Sequence, residues 1–517
     1  MWSAAALALI VLLGGYLRLA RLDLMEFKED EWMMHSAAVE QAQGDLKLRG
    51  LLSSVAVPNP PVAVYLFSLP ALLSADPVIM AALPALLNTL ALIVGYLLAR
   101  MWMSRPAALL AMLLFAVSPW AVLESRKIWA QDILPLFVTC FFLFTVYYFR
   151  SGRSSVLIGI LALLSLLNQI HYGTFAFWPV VVFLVIARRS TFRVLPHVLA
   201  LGVYAVLWLP FAVFVAYGGL AVVTPNTQVI AGPARFVSNL VSAITWHVSL
   251  MGHVSFDNAS GYASHYFRPA SMAFDWSGIV LCMLFLGGVV ATIRRSLREE
   301  SLWILVLWLA LPTVLLSLSK FEFHYMLACY PASFLMAGVF LDSAAAWWRR
   351  MLSLPALRRV ILGVFVSIIL LIAAGEAVFF EMFLDHVSLC GGTLGDYGVP
   401  YRDKLAVARY FVERFPRESF TLMDLTSQHR TESSYYYLYR LSGGRGALLP
   451  LQVEEGRVVA PVYAVLPPDG ESELDRPGGM FVCVGTVGVG PLRVVELRPV
   501  EKAGILNSRP DGSLNLR

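Results

Sequence analysis

Eleven apolar runs of span length, or close to it, occupy the first 384 residues, at about 3–20, 78–99, 106–123, 132–149, 155–170, 174–187, 195–217, 277–293, 302–319, 324–341 and 359–383. A membrane span takes roughly 20 mostly apolar residues. In lipid every backbone polar group must be satisfied within the segment, which leaves the helix as the solution for isolated apolar runs. Hydrophobic residues make up 58% of the chain and charged residues 14%, against about 25% charged in an ordinary soluble domain. The pattern predicts a polytopic α-helical membrane protein of about eleven transmembrane helices over residues 1–384. From about 385 the apolar runs shrink to strand length and charges return, which predicts a small soluble domain over 385–517.

Orientation is read from Lys and Arg in the short loops. Arg100 and Arg105, then Arg150 and Arg153, Arg188, Arg189 and Arg193, Arg294, Arg295 and Arg298, and finally Arg349, Arg350, Arg358 and Arg359 fall in every second loop. These loops are expected on the cytoplasmic side. The first long loop (21–77), the loop around 124–132, the loop 218–275 and the C-terminal domain are then extracytoplasmic. Arg18 and Arg21, after the first run, point the other way, and five basic loops outweigh them. The absence of a basic segment before the first run argues against a cleaved signal peptide. The basic loops account for the net charge of +5, so the charge does not point to nucleic acid. Cys140, Cys282 and Cys329 fall in spans. Cys390 and Cys483 both fall in the outer domain, where a disulfide between them is permitted.

Within the first outer loop, 31–43 has helical periodicity and 62–73 is apolar but too short to span, so both are expected as helices lying in the membrane interface. The loop 218–275 is long, aromatic and poor in charge, the composition of a lid on the membrane surface. In the C-terminal domain, 403–415 and 432–441 read as helices. Stretches near 420–425, 458–466, 480–487 and 492–497 read as strands, giving a small α/β fold.

Four short motifs carry chemistry. The first is Glu26-Phe27-Lys28-Glu29-Asp30-Glu31-Trp32, four carboxylates within six residues just beyond a span. Crowded carboxylates repel, and a dry setting raises the cost of ionising them. The cluster is either a solvated acidic loop or a general base, at Asp30 or Glu31, with its partner acid. The second motif runs from Glu124 through Arg126 and Lys127 to Asp132. Cations in an outer loop oppose the orientation rule, so they either pair with their neighbours or bind a phosphate, which a guanidinium grips with two bonds. The third is Lys320-Phe321-Glu322-Phe323-His324-Tyr325, where Lys320 either snorkels to the interface or holds the same phosphate. The fourth is Asn168-Gln169-Ile170-His171-Tyr172, where His171 is either a packing residue or lines a substrate cavity. His247, His253, Asp257 and His265 match no specific metal spacing, and metal dependence stays open. The assigned topology places the four motifs on one outer face.

With these motifs the chain resembles the GT-C superfamily of membrane glycosyltransferases, and more narrowly the protein O-mannosyltransferases and the bacterial aminoarabinose–lipid A transferases. Asp30-Glu31 resembles the family's acidic pair in the first outer loop. Ser118-Pro119-Trp120 with Glu124, Arg126 and Asp132 resembles a second family motif, and Lys320 to Pro331 a later loop. The likeness covers roughly residues 1–345. It implies transfer of a sugar from a polyprenyl-phosphate donor on the outer face of the plasma membrane, with inversion. Asp30 would be the base and Glu31 its helper. Arg126, Lys320 and Arg268 would bind the donor phosphate, while Glu124, Asp132, His171, Tyr172, His324 and Tyr325 would line the cavity. Lipid, cell-wall glycan and protein stay open as acceptors, because the large inserted domain of the mannosyltransferases is absent. The alternative is a non-catalytic membrane protein, a transporter or a structural subunit, on a degenerate fold of this kind.

Overall fold

The structure is a computed structural model that describes residues 2–53, 57–218, 231–252, 268–319, 321–351, 354–392, 397–426, 432–449, 453–454, 457–458, 460–467 and 481–499. These residues group into two compact units. One takes those within Met1–Leu22, Met33–Asp257 and Arg268–Met382, and the other those within Asp23–Trp32 and Phe383–Arg517.

The first unit is helical, and a helix lies over each of the eleven apolar runs. Its helices are α1 (Trp2–Leu19), α2 (Glu29–Ala42, whose first turn belongs to the second unit), α3 (Val62–Ala71), α4 (Pro77–Ala99), α5 (Arg105–Val117), α6 (Pro119–Leu123) and α7 (Leu134–Ser151). After these come α8 (Val156–Ile170), α9 (Trp178–Ala187), α10 (Val194–Leu207), α11 (Leu209–Ala216) and α12 (Pro233–Ser249). The last are α13 (Arg268–Ser296), α14 (Trp303–Ser317), α15 (Tyr330–Met351) and α16 (Pro355–Cys390). Among the described residues seven helical segments are long and apolar enough to cross a membrane, and two bent pairs raise this to nine. The runs 156–170 and 172–187 are helical but shorter. The expected interfacial segments are α2 and α3. Of the loop 218–275, residues 231–252 are described before α13 begins, and they contain α12.

Prolines set the breaks. A proline lacks an N–H and its ring clashes with the preceding turn, so it opens a helix rather than continuing one. Pro119 and Pro210 each stand at the start of the second helix of a bent pair, α5–α6 at 61° and α10–α11 at 55°. Glycine decides one contact. A Cβ on Gly288 of α13 would lie 2.5 Å from the backbone of Met336 in α15. Backbone cannot step aside as a flexible side chain can, so Gly288→Ala is expected to cost about 1–3 kcal/mol, read as a lower unfolding midpoint in detergent.

The basic loops of this unit meet one another. Arg150 Nη2 donates to Glu299 Oε1 at 2.6 Å, and Arg295 bonds Asp342 at 3.1 Å and the Trp102 carbonyl at 2.7 Å. The C-terminal ends of α4, α7 and α13 thus gather together, beside Asp342 of α15.

The second unit adds α17 (Tyr401–Arg414), β1 (Thr421–Asp424), α18 (Glu432–Leu441), β2 (Val453–Glu454), β3 (Arg457–Val458), β4 (Val462–Leu466), β5 (Phe481–Val489) and β6 (Leu492–Pro499). The main sheet has the order β1-β4-β6-β5, with β1 and β4 parallel and the other pairs antiparallel. Met423, Val462, Ala464, Leu466, Phe481, Val495 and Leu497 form its core. None of the five cysteines is joined in a disulfide, so the permitted Cys390–Cys483 bond is not made. Cys390 lies one turn from His386 on α16, and Cys483 sits beside Thr486 at a bulge of β5.

Candidate active site

Two arginines that ran against the orientation rule turn out to serve helix ends. The last carbonyls of a helix have no partner within it, and its C-terminus carries partial negative charge, so a cation there is stabilising. Arg18, fully buried, donates to the carbonyls of Ala116 at 2.8 Å and Phe115 at 3.2 Å, at the end of α5. Arg126, 1% exposed, does the same for α1. Its terminal nitrogens donate to the carbonyls of Leu17, Arg18, Ala20 and Arg21 at 2.9, 3.2, 2.7 and 2.7 Å. Arg21 has φ +54°, a left-handed conformation that non-glycine residues rarely adopt, and Arg126 bonds its carbonyl.

The Ser118-Pro119-Trp120 motif works locally. The Ser118 hydroxyl accepts from the Ala121 amide and donates to the Leu250 carbonyl, while Pro119 opens α6. This turns the chain so that Glu124, Ser125, Arg126 and Lys127 are all buried. Lys127 Nζ lies 3.2 Å from Glu124 Oε2 and above the Trp129 ring. Asp132 is buried too, and its carbonyl accepts from Asn88 of α4 at 2.6 Å. The Tyr330 phenol lies in the field of Glu124, Lys127 and Asp132. Trp129 packs on His324 with ring centroids 4.6 Å apart, His324 on Tyr325 at 4.6 Å, and Tyr325 on His171 at 5.1 Å.

Three of the four sequence motifs therefore meet in the first unit, where the buried charges of the second adjoin a run of ring contacts from Trp129 through His324 and Tyr325 to His171. Within it His171 also caps the turn after α8, its Nδ1 accepting from the Gly173 amide, and Tyr172 holds the Pro58 carbonyl at 2.7 Å. Lys320 lies outside the described residues, as does the side chain of Arg268, whose backbone opens α13. Among the described residues no group of three or more His, Cys, Asp or Glu is placed to hold a metal ion. His253, Asp257 and His265 lie outside them. His247 is buried and bonded to Thr313 at 2.9 Å.

The acid cluster belongs to the second unit, where its carboxylates have different surroundings. Glu26 is buried against Lys28 Nζ at 2.7 Å. Glu31, 4% exposed, accepts from the Lys28 backbone amide at 3.0 Å. Lys28 precedes α2 and Glu31 is the third residue in, so this is the reciprocal half of a capping box. Glu29 and Asp30 are exposed on the first turn of α2. Glu31→Ala is expected to cost about 0.5–2 kcal/mol through the lost cap, while Glu31→Gln, whose amide oxygen still accepts, costs much less. Unfolding midpoints of the two variants check this.

Sequence reasoning missed Lys404. It is 1% exposed and donates from Nζ to the Phe27 carbonyl at 2.8 Å and to Ser434 Oγ at 2.9 Å. Its place on α17, one face with Val407, Ala408 and Phe411, was the available signal: a lysine on the apolar stripe of an amphipathic helix.

Comparison with solved structures places the fold. ArnT from Cupriavidus metallidurans in the apo state superposes with a TM-score of 0.54 at 15% identity, over 96% of this chain and 97% of that one. The same protein bound to undecaprenyl phosphate gives 0.53 at 15% identity, over 96% and 98%. The chain shares the fold of these structures, the GT-C fold. The Archaeoglobus fulgidus oligosaccharyltransferase in complex with Zn and sulfate also shares it, with a TM-score of 0.50 at 11% identity, over 89% of this chain and 67% of that one. No protein-family model matches the sequence, and no curated protein does. At such identities the likeness is one of fold.

Proposed function

We propose that the protein transfers a sugar from a polyprenyl-phosphate-linked donor to an acceptor hydroxyl on the extracytoplasmic face of a membrane. The observation that carries this reading is Asp30, an exposed carboxylate on the first turn of α2 within a cluster of four acids. The GT-C fold supports it, as does the undecaprenyl phosphate named with one of the similar structures. Asp30 takes the proton of the acceptor hydroxyl as that oxygen attacks the anomeric carbon. The bond from that carbon to the phosphate oxygen breaks, its electron pair stays on the polyprenyl phosphate, and the anomeric centre inverts. The leaving group is already an anion, so the protein mainly supplies positioning and electrostatic stabilisation. Lys127, Lys320 and Arg268 are the cations proposed for that phosphate, with Glu124, Asp132, His324 and Tyr325 as the proposed cavity residues. Arg126 shapes the corner at the end of α1.

The test is turnover in proteoliposomes. Radiolabelled undecaprenyl-phosphate-linked sugars are supplied as a panel, with cell-envelope fractions as acceptor. Donor consumption with label appearing in the acceptor is the expected result. A protein that neither consumes any member of the panel nor binds undecaprenyl phosphate overturns the reading.

A further inference from the structure

The segment 23–32, which bears the acid cluster, has almost no regular structure of its own until α2 begins. Its backbone is instead held from the C-terminal residues of the same unit. The Leu24 carbonyl accepts from the Tyr397 hydroxyl, the Met25 carbonyl from the Tyr401 amide at 2.9 Å, and Glu26 forms a β-bridge with Pro400. The Phe27 carbonyl accepts from Lys404 Nζ at 2.8 Å. The fully buried Phe27 ring sits edge-on to Tyr401 at 5.4 Å. Trp32 stacks on Tyr437 at 5.3 Å and donates from Nε1 to Ser433 at 3.3 Å. Successive residues on both sides of Asp30 are thus anchored.

We infer that the C-terminal domain is a clamp that fixes the position of Asp30, with Lys404 as its central positioning residue. This rests on the reading of Asp30 as the base. A buried ammonium is costly unless paired and hydrogen-bonded, and here it is committed to a main-chain carbonyl rather than to a substrate. Burial pushes Lys404 down to about 8, against the pull of Asp424, Glu31 and Glu26, with Lys28 adding repulsion. The groups facing it are Asp424 from β1, Glu31 from α2, Glu26 and Lys28 from the segment, and Ser434 and the Tyr435 ring from α18. Above that pH the amine loses its attraction to the three carboxylates and its bond to Phe27 weakens. Turnover is therefore expected to fall on the alkaline side as Lys404 loses its proton.

The experiment uses the full chain in nanodiscs. Amide hydrogen exchange is measured over residues 24–32, together with turnover of the undecaprenyl-phosphate sugar panel against pH. Lys404→Met is expected to speed exchange in the segment and to lower kcat about 10–100-fold through misplacement of the base, with donor KM unchanged. Lys404→Arg keeps a charge at all working pH values, and is expected to retain much of kcat while losing the alkaline fall. Should Lys404→Met fail to fold, Tyr397→Phe and Ser434→Ala each remove one hydroxyl and give smaller changes in the same direction. Wild-type exchange and kcat in these variants, with Asp30→Asn inactive, overturn the clamp and leave the base reading intact. Wild-type turnover by Asp30→Asn instead overturns the base reading and with it the positioning role.

Discussion

Asp30→Asn is expected to lower sugar transfer by roughly 10²–10⁴-fold, the range that loss of a positioned general base produces. Donor affinity should hardly change, because the base acts on the acceptor's proton. The substitution suits the test: asparagine has nearly the size of aspartate and is tolerated in the first turn of a helix, and Asp30 is exposed on α2. The carboxylate is thus removed at nearly constant size, and an unfolding midpoint taken alongside checks that the fold is kept. Glu29→Gln, at the exposed neighbour, should retain most activity. Initial rates with the undecaprenyl-phosphate sugar panel check both variants. Wild-type turnover by Asp30→Asn would remove the base from this position, and equal losses at Glu29 and Asp30 would point to the field of the cluster rather than to one proton acceptor.

Arg126→Met is expected to be the most destabilising single change. It removes the donor to the carbonyls of Leu17, Arg18, Ala20 and Arg21. Each buried carbonyl left unsatisfied costs about 1–3 kcal/mol, and the left-handed Arg21 loses the bond to its carbonyl. Arg126→Lys should recover only part of the loss, since an ammonium cannot reproduce the planar fork that reaches several carbonyls at once. Unfolding midpoints in detergent, with undecaprenyl phosphate binding measured on the folded fraction, separate the two roles. A large fall in midpoint with affinity retained fits a residue that shapes the corner. An unchanged midpoint with donor binding lost would support the direct phosphate role expected from sequence.

The contrast between Arg126 and Lys127 shows where sequence reasoning runs out. Both were visible as outer-loop cations that break the orientation rule. Which one meets a helix end and which one faces Glu124 depends on the turn at Ser118-Pro119 and on where α1 ends, a distance of over 100 residues along the chain. His171 is similar: its aromatic contact with Tyr325 and its capping of the next turn were both permitted by the sequence, and the fold makes both. The Cys390–Cys483 pair was permitted on compartment grounds, but each thiol is turned toward its own helix or bulge.

What the chain determined by itself was its local and pattern-level structure. Apolar runs, proline breaks, the capping box at Lys28–Glu31 and the alternation of strands are set by residues within a few positions of one another, so helices lie over all the apolar runs and the C-terminal sheet has the expected strands. The tertiary structure decided which charges are buried and what they touch. Four adjacent carboxylates became an ion pair, a helix cap and two exposed groups. A lysine 377 residues away from Phe27 became the anchor of the segment that carries them. Burial and desolvation come from contacts remote in sequence, and no local pattern encodes them.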